Sequence, residues 1–274
     1  MNLFNTKLSR AFSVKQVIKV IAGLDNTNIQ SIIKLANLAE LAGCTYIDII
    51  ANPKIVSIVK ALVNIPVCVS SISPIELYNC VQAGADFVEL GNFDIFYKKN
   101  INFTSQTILD LALETRDLIR NRDICVTVPH HLNLLDQMIL AQNLEIIGIN
   151  IIQTEGCTNK ESITQYTLDK LLISTNLAAS TLSSTYAISK SVNIPVITSS
   201  NMNVLSSPMA LFYGASGIGI GSFFKNKNDT MERLLYAQEI VASLCKQNQI
   251  HTNKLNLGNN YIMYANNYHN FMIR

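Results

Sequence analysis

Tryptophan is absent from the 274-residue chain, and none of its six cysteines stands in a CxxC pair. That spacing excludes the paired-thiolate pattern of structural zinc sites and of thioredoxin-like redox motifs. Cys44, Cys68, Cys80, Cys125, Cys157 and Cys245 read as reduced core thiols. Cys68 and Cys125 fall inside strand-like runs, where a thiol behaves as a small hydrophobe. Charge is scarce as well: 15% of residues are charged and the formal net charge is +2. No basic stripe with interleaved aromatics occurs, so the electrostatic footprint of a nucleic-acid binder is missing. No apolar run reaches transmembrane length, because residues such as Gln142, Asn143 and Glu145 interrupt the candidates. No GxGxxG follows the first strand-like run, which argues against a dinucleotide-binding fold. Asn, Ile and Lys are frequent; their codons are AT-rich, as in an organelle genome.

What is present is alternation. A hydrophobic share of 49% suits a core rich in buried strand. Strand-like runs lie near Val17–Leu24, Tyr46–Asn52, Pro66–Ile72, Asp86–Asn92, Ile124–Pro129, Ile146–Thr154, Pro195–Ser199 and Gly217–Gly221. Helical spacing fills the gaps: Ile29–Ala42 has apolar residues at helical offsets and stops at Gly43, and Ser73-Pro74 pairs a cap with a proline at the first helical position. Eight strand–helix units in a chain of this length predict a single-domain (β/α)8 TIM barrel over residues 16–248. Residues 1–15, with Lys7, Arg10 and Lys15 and no acids, resemble a transit peptide in composition. They read instead as a short N-terminal helix covering the barrel's base. Residues 249–274 read as a peripheral C-terminal tail, rich in Asn and Tyr.

Two segments near the C-terminus point to an anion. Asn193–Asn203 reads NIPVITSSNMN and Ala215–Ser222 reads ASGIGIGS. Each is a β-branched run ending in small polar residues or glycine. In a (β/α)8 barrel the loops after strands 7 and 8 form a phosphate site, where glycine lets the backbone approach the anion. Ser199, Ser200, Gly219, Gly221 and Ser222, with Gly156 after the sixth strand, are the candidate phosphate-binding residues. A short helix at Phe223–Lys225 would follow, with Lys225 and Lys227 adding positive potential.

Lys19, Asp48 and Glu89 each sit in an otherwise apolar strand. A charge there must find a partner, either inside the barrel or in the helix layer. A lysine facing carboxylates suits Schiff-base or proton-shuttle chemistry. The same residues equally suit a buried ion network that only fixes barrel register. Glu155, beside Gln153 at the end of the sixth strand, is placed for general acid–base work or for capping loop N–H groups. His130 and His131 follow the fifth strand and suit proton transfer, or a solvent-facing helix start. Asn52, Asn92 and Asp94 are candidate polar contacts. A metal site is not expected. Metal-dependent phosphosugar epimerases of this fold need His and Asp at several strand ends, whereas strands 3 and 7 here end in serines, and no HExxH or EF-hand loop occurs.

Several stretches together are familiar: KVIAGLDN at Lys19–Asn26, PVCVSSISP at Pro66–Pro74, AGADFVELGNFDIFY at Ala83–Tyr97, VTVPH at Val126–His130, IIQTEG at Ile151–Gly156, and AISKSVNIPVITSS through GIGIGS. Their order and spacing resemble the plastid and cyanobacterial family called hypothetical chloroplast open reading frame twenty-three, from about Lys15 to Lys246. Two departures stand out. Ser199-Ser200-Asn201 replaces the family's Ala-Ser-Gly turn, and Gly156-Cys157 replaces a glycine pair. Asn tolerates left-handed backbone better than most residues. The resemblance implies a soluble plastid (stromal) protein with a barrel fold, and names no reaction.

Taken together, these residues lead to an enzyme of isomerase, lyase or aldolase type acting on a small phosphorylated molecule. The alternatives are a barrel that binds flavin mononucleotide (FMN) and a non-catalytic phosphate-ligand sensor or scaffold. No nucleic-acid or membrane partner is expected, and the sequence is compatible with a homo-oligomer.

Overall fold

Period-two alternation carries the architecture. In the computed structural model, which describes residues 3–156, 170–221 and 229–245, eight parallel strands close into a barrel in the order β1-β2-β3-β4-β5-β6-β7-β8. They are β1 (Val17–Ile21), β2 (Tyr46–Ile50), β3 (Val67–Ser71), β4 (Phe87–Leu90), β5 (Ile124–Val128), β6 (Ile151–Thr154), β7 (Val196–Thr198) and β8 (Gly217–Ile220). The helices are α1 (Thr6–Ser13), α2 (Ile29–Leu41), α3 (Pro53–Leu62), α4 (Pro74–Gln82), α5 (Asp94–Tyr97), α6 (Ser105–Leu118), α7 (Leu134–Ile146), α8 (Lys170–Ser191), α9 (Ser207–Phe212) and α10 (residues 230–245). Outward strand residues such as Ile18, Val20, Ile47, Ile49, Val69, Val88 and Ile218 join the large core under the helices. Inward residues form a second, separate core.

That inner core is layered. Val17, Tyr46, Cys68, Phe87, Cys125, Ile151 and Ile197 fill the lower barrel, and Leu8 and Phe12 of α1 pack against them from below. Asp123 holds the start of α1 in place, its carboxylate accepting the Phe4 N–H at 2.9 Å and the Asn5 N–H at 3.0 Å. Immediately above lies a polar layer built on Lys19, Asp48, Ser70, Glu89, Thr127 and Gln153.

Local chemistry sets the element ends. Asn28, Asn52, Ser73, Thr104 and Asn133 cap their helices by accepting backbone N–H groups with their side chains. Two sequence expectations are corrected. The sixth strand does not begin at Ile146: α7 runs to that residue, the turn closes through Gly148 (φ +87°), and β6 starts at Ile151. The pair Ile146-Ile147 ends a helix, and Ile146 is 80% exposed. Cys245 is exposed at the end of α10 rather than buried, while Cys44, Cys68, Cys80 and Cys125 are buried. Cys157, the C-terminal tail and the expected helix at Phe223–Lys225 lie outside the described residues.

Behind β6 and β7 the helix layer is tied to the barrel by hydroxyls. Thr154 Oγ1 lies 2.8 Å from Thr185 Oγ1, which lies 2.7 Å from Thr198 Oγ1. These residues are fully or nearly fully buried, so the chain of hydroxyls satisfies groups that would otherwise cost free energy.

Two expected outcomes follow from the interior. A Cβ on Gly217 would stand 2.4 Å from both Cβ and the carbonyl oxygen of Val17. Gly217→Ala should therefore lower stability by about 1–3 kcal/mol in urea unfolding; an unchanged midpoint would show that the lower barrel has room to spare. Burial pushes the thiols of Cys44 and Cys80 up to about 12 and those of Cys68 and Cys125 well above the ordinary value. Among these four and Cys245, a maleimide at neutral pH should label Cys245 first, with the others reacting only on unfolding. Rapid native labelling of Cys68 would contradict this packing.

Candidate functional site

The site starts from a cation that has nowhere to go but inward. Lys19 occupies the inward side of β1 and is fully buried. Its Nζ lies 2.5 Å from Glu89 Oε2, 3.0 Å from Asp48 Oδ2 and 2.9 Å from Gln153 Oε1. The ammonium thus donates hydrogen bonds to Glu89 and Gln153 and forms an ion pair with Asp48. Asp48 further accepts from Ser70 Oγ at 2.5 Å and from Asn92 Nδ2 at 2.9 Å. Glu89 Oε1 accepts from Thr127 Oγ1 at 3.0 Å and Gln153 Nε2 at 2.8 Å. Both carboxylates are buried, so these bonds replace the water they lost.

Burial alone pulls the Lys19 ammonium down, but Asp48 and Glu89 outweigh it, and its pKa stands above the ordinary lysine value. Burial pushes the Glu89 carboxyl up, with Lys19 opposing it. A Schiff base needs a neutral amine at the substrate. Lys19 is instead held charged between Asp48 and Glu89, beneath Gln153.

Above this cluster the barrel opens into a cavity of about 640 Å3, within the range of about 300–1,000 Å3 common for small-molecule sites. Gln153 is part of its lining. Ile21, Asn92, Asp94, Tyr97, Lys98, His130, Glu155, Gly156, Ser199, Ser200, Asn201, Gly219 and Gly221 line the rest, together with residues of the loop after β1. The strand-end residues at β6, β7 and β8 therefore share one space. A smaller hollow of about 320 Å3 lies near the start of α1, where the Lys60–Asp86 ion pair at 2.7 Å lines it, away from the strand ends that carry the candidate chemistry.

The β7–β8 side of the cavity is built from backbone. Ser200 (φ +77°) and Asn201 (φ +55°) are both left-handed. Such a conformation costs a non-glycine residue of order 1–3 kcal/mol and persists where the surroundings impose it. Gly219 faces inward: a Cβ there would lie 2.8 Å from Ser199 Oγ. A Cβ on Gly221 would lie 3.2 Å from Ile21 Cβ, while Ile218 and Ile220 pack outward into the helix-side core. Gly156 is fixed by packing as well, since a Cβ would lie 2.8 Å from the Thr181 backbone nitrogen. Ser222, Lys225 and Lys227 lie outside the described residues.

The opposite side carries titratable groups. Glu155 Oε1 accepts the Tyr97 hydroxyl and the His130 backbone N–H at 3.0 Å, and stands 3.1 Å from His130 Nδ1. Tyr97 comes from α5, in the loop after β4, and its ring meets that of His130 edge-on at 4.5 Å. His131 is turned elsewhere, its Nε2 lying 3.0 Å from the Phe103 carbonyl oxygen.

Lys19, Asp48 and Glu89 thus meet in one cluster, with Glu155 in a second one higher in the barrel. Asn52 is not among the cavity residues; it caps α3 through the Lys54 and Ile55 N–H groups. Sequence reasoning missed Ser70, Thr127 and Tyr97. Period-two register marks the first two, one strand away from Asp48 and Glu89 on the same face. Nothing local marks Tyr97 beyond its place in the long loop after β4.

Comparison with known proteins agrees with this architecture. Residues 3–250 match the family described as "Protein of unknown function (DUF561)". The chain is 44% identical over 257 residues to the "Uncharacterized protein ycf23" of Antithamnion sp., covering 90% of this chain and 91% of that one. It is 40% identical to the ycf23 protein of Cyanophora paradoxa, covering 86% and 96%. Among solved structures it is similar to thiamine phosphate pyrophosphorylase from Pyrococcus furiosus, with a TM-score of 0.56, 17% identity and coverage of 85% and 97%. It is also similar to (S)-3-O-geranylgeranylglyceryl phosphate synthase from Thermoplasma acidophilum, solved with its substrate sn-glycerol-1-phosphate, with a TM-score of 0.57, 12% identity and coverage of 89% and 98%. At these identities the likeness is one of fold. No helix among the described residues is long and apolar enough to cross a membrane.

The buried cluster makes a testable demand. Lys19→Met leaves two carboxylates without a cation and should cost about 3–5 kcal/mol at neutral pH. In that variant burial keeps a proton on Glu89 that the unfolded chain releases, so its stability should rise as pH falls. In the wild type, the contribution of Lys19 is complete below the ordinary lysine value of 10.5 and declines as pH rises beyond it. Urea unfolding across pH measures both trends; a Lys19→Met protein as stable as wild type would remove the cluster from the list of structural necessities.

Proposed function

We propose, from the premise that the chain belongs to the DUF561 family shared with the ycf23 proteins, that it is an enzyme holding a small phosphorylated molecule at the top of its barrel. The phosphate would sit against Ser199, Ser200, Gly156, Gly219 and Gly221, with Ser222 following in the chain. The observation that carries this reading is the strained left-handed pair Ser200-Asn201 lining the same cavity as two inward glycines. Strain at a cavity wall marks functional backbone, and glycine at a strand end lets the backbone itself approach an anion. Two barrels of similar fold carry phosphate compounds in their names, one of them solved with a phosphorylated substrate, which supports the ligand class. The protein is read as soluble, in the plastid stroma.

Of the chemistries open to such a site, the geometry favours proton transfer of isomerase or lyase type. Lys19 is held charged by Asp48, Glu89 and Gln153 beneath the cavity, so an aldolase-type Schiff base on it is the weaker choice. In this reading Lys19, Asp48 and Glu89 hold the floor and set its polarity. Glu155 and its neighbours act on the substrate.

Gly221→Val places a branched side chain in the anion's space at the end of β8. Calorimetric titration with inorganic phosphate should show binding to wild type and its loss in the variant, with stability changed by only about 1–2 kcal/mol. Equal affinity in both proteins would leave the glycines with a packing role alone. A yellow purified protein would turn the assignment to FMN.

A further inference from the structure

Three groups on the cavity wall converge on a single oxygen, and their donors and acceptors leave one nitrogen over. Glu155 Oε1 takes the Tyr97 hydroxyl and the His130 N–H, and it also faces His130 Nδ1 at 3.1 Å. An oxygen already accepting from two donors receives a proton at the third contact as well. The neutral His130 ring therefore carries its hydrogen on Nδ1 and its lone pair on Nε2.

We propose that His130 presents Nε2 to the cavity as its proton acceptor, and that Glu155 and Tyr97 are positioning residues for that ring. The proposal rests on the reading of the cavity as a substrate site and deepens it. Nε2 has no partner among the described residues, and the side chain is 18% exposed where it lines the cavity. The neighbouring His131 shows the contrast: its Nε2 is engaged with the Phe103 carbonyl, a contact that requires the hydrogen on that nitrogen. Tyr97 packs edge-on at 4.5 Å and restrains rotation of the His130 ring. The step is a balanced proton transfer. Nε2 takes a proton from a substrate C–H or O–H, the bonding electron pair stays on the substrate, and the imidazolium later returns the proton to another substrate atom or to water. The Glu155 carboxylate opposes the charge on the ring while the proton is held. Glu155 is thereby shifted from the role of proton carrier to that of orienting it.

Histidine-selective 15N labelling with two-bond 1H–15N correlation reads the tautomer directly, and His130→Gln assigns the signals. The expected result is the Nδ1–H tautomer for His130 in wild type. Glu155→Gln keeps an acceptor oxygen and should retain it, whereas Glu155→Ala should shift the ring to a mixture of tautomers. Diethyl pyrocarbonate should modify His130 before His131, at Nε2, as located by peptide mass. An Nε2–H tautomer in wild type, or a His130 slower to react than His131, would overturn the proposal. So would a tautomer indifferent to Glu155→Ala in a variant shown to be folded by circular dichroism. These readouts are independent of anion binding. Phosphate that binds a protein with the wrong tautomer defeats the His130 assignment alone; the right tautomer in a protein blind to phosphate defeats the anion reading alone.

Discussion

A single ammonium held between two carboxylates inside a closed barrel constrains everything around it. Lys19 comes from β1, Asp48 from β2, Glu89 from β4 and Gln153 from β6, so one buried cluster ties together strands from around the ring. In so dry a place an unpaired charge is far more costly than an imperfect apolar contact. A slip of one residue in any of these strands would carry its polar group into the outer apolar core and leave the others unmatched. The cluster therefore acts on specificity of register more than on net stability, as is usual for buried ion pairs. It also divides the interior, with an apolar layer below and the open cavity above.

That division explains why the chemistry is gathered at one end. The polar floor reaches the cavity through Gln153 and Asn92, which belong to both regions. Above the floor the walls differ in kind. The β7–β8 side offers backbone, hydroxyls and glycines; the side formed by the loops after β4, β5 and β6 offers a phenol, an imidazole and a carboxylate in mutual contact. A ligand spanning the two would have one end gripped by backbone and the other exposed to ionisable groups, the separation of binding from reaction that the (β/α)8 architecture favours.

Much of this was readable in the sequence, and the reasons are physical. Eight strands declared themselves because both faces of a parallel barrel strand are buried, so apolar runs are dense and charges within them conspicuous; Lys19, Asp48 and Glu89 stood out on that ground. Ile146-Ile147 misled because a β-branched pair ending a helix looks like a pair opening a strand, and only the Gly148 turn separates them. Asn52 looked like a ligand contact because capping uses the same amide chemistry as binding. Cys245 looked buried because thiols usually are. Tyr97 was silent: its contact with Glu155 spans 58 positions and exists only because a short helix in the loop after β4 brings the ring across the cavity. Contacts made by loops leave no periodic trace.

The seating of α1 has a consequence for how the chain reaches its native state. Leu8 and Phe12 rest on side chains from β1 through β7, a platform that does not exist until residues as distant as Tyr46 and Ile197 have come together. On this geometry α1 has no seat until those strands have met. Until the ring of strands forms, it has no complementary surface and stays a short peptide with little intrinsic helicity. Assembly of this barrel is governed by contacts between distant parts of the chain, the regime in which folding is slow and strongly cooperative. α1 then works as a latch, closing over an interior that the strands have built.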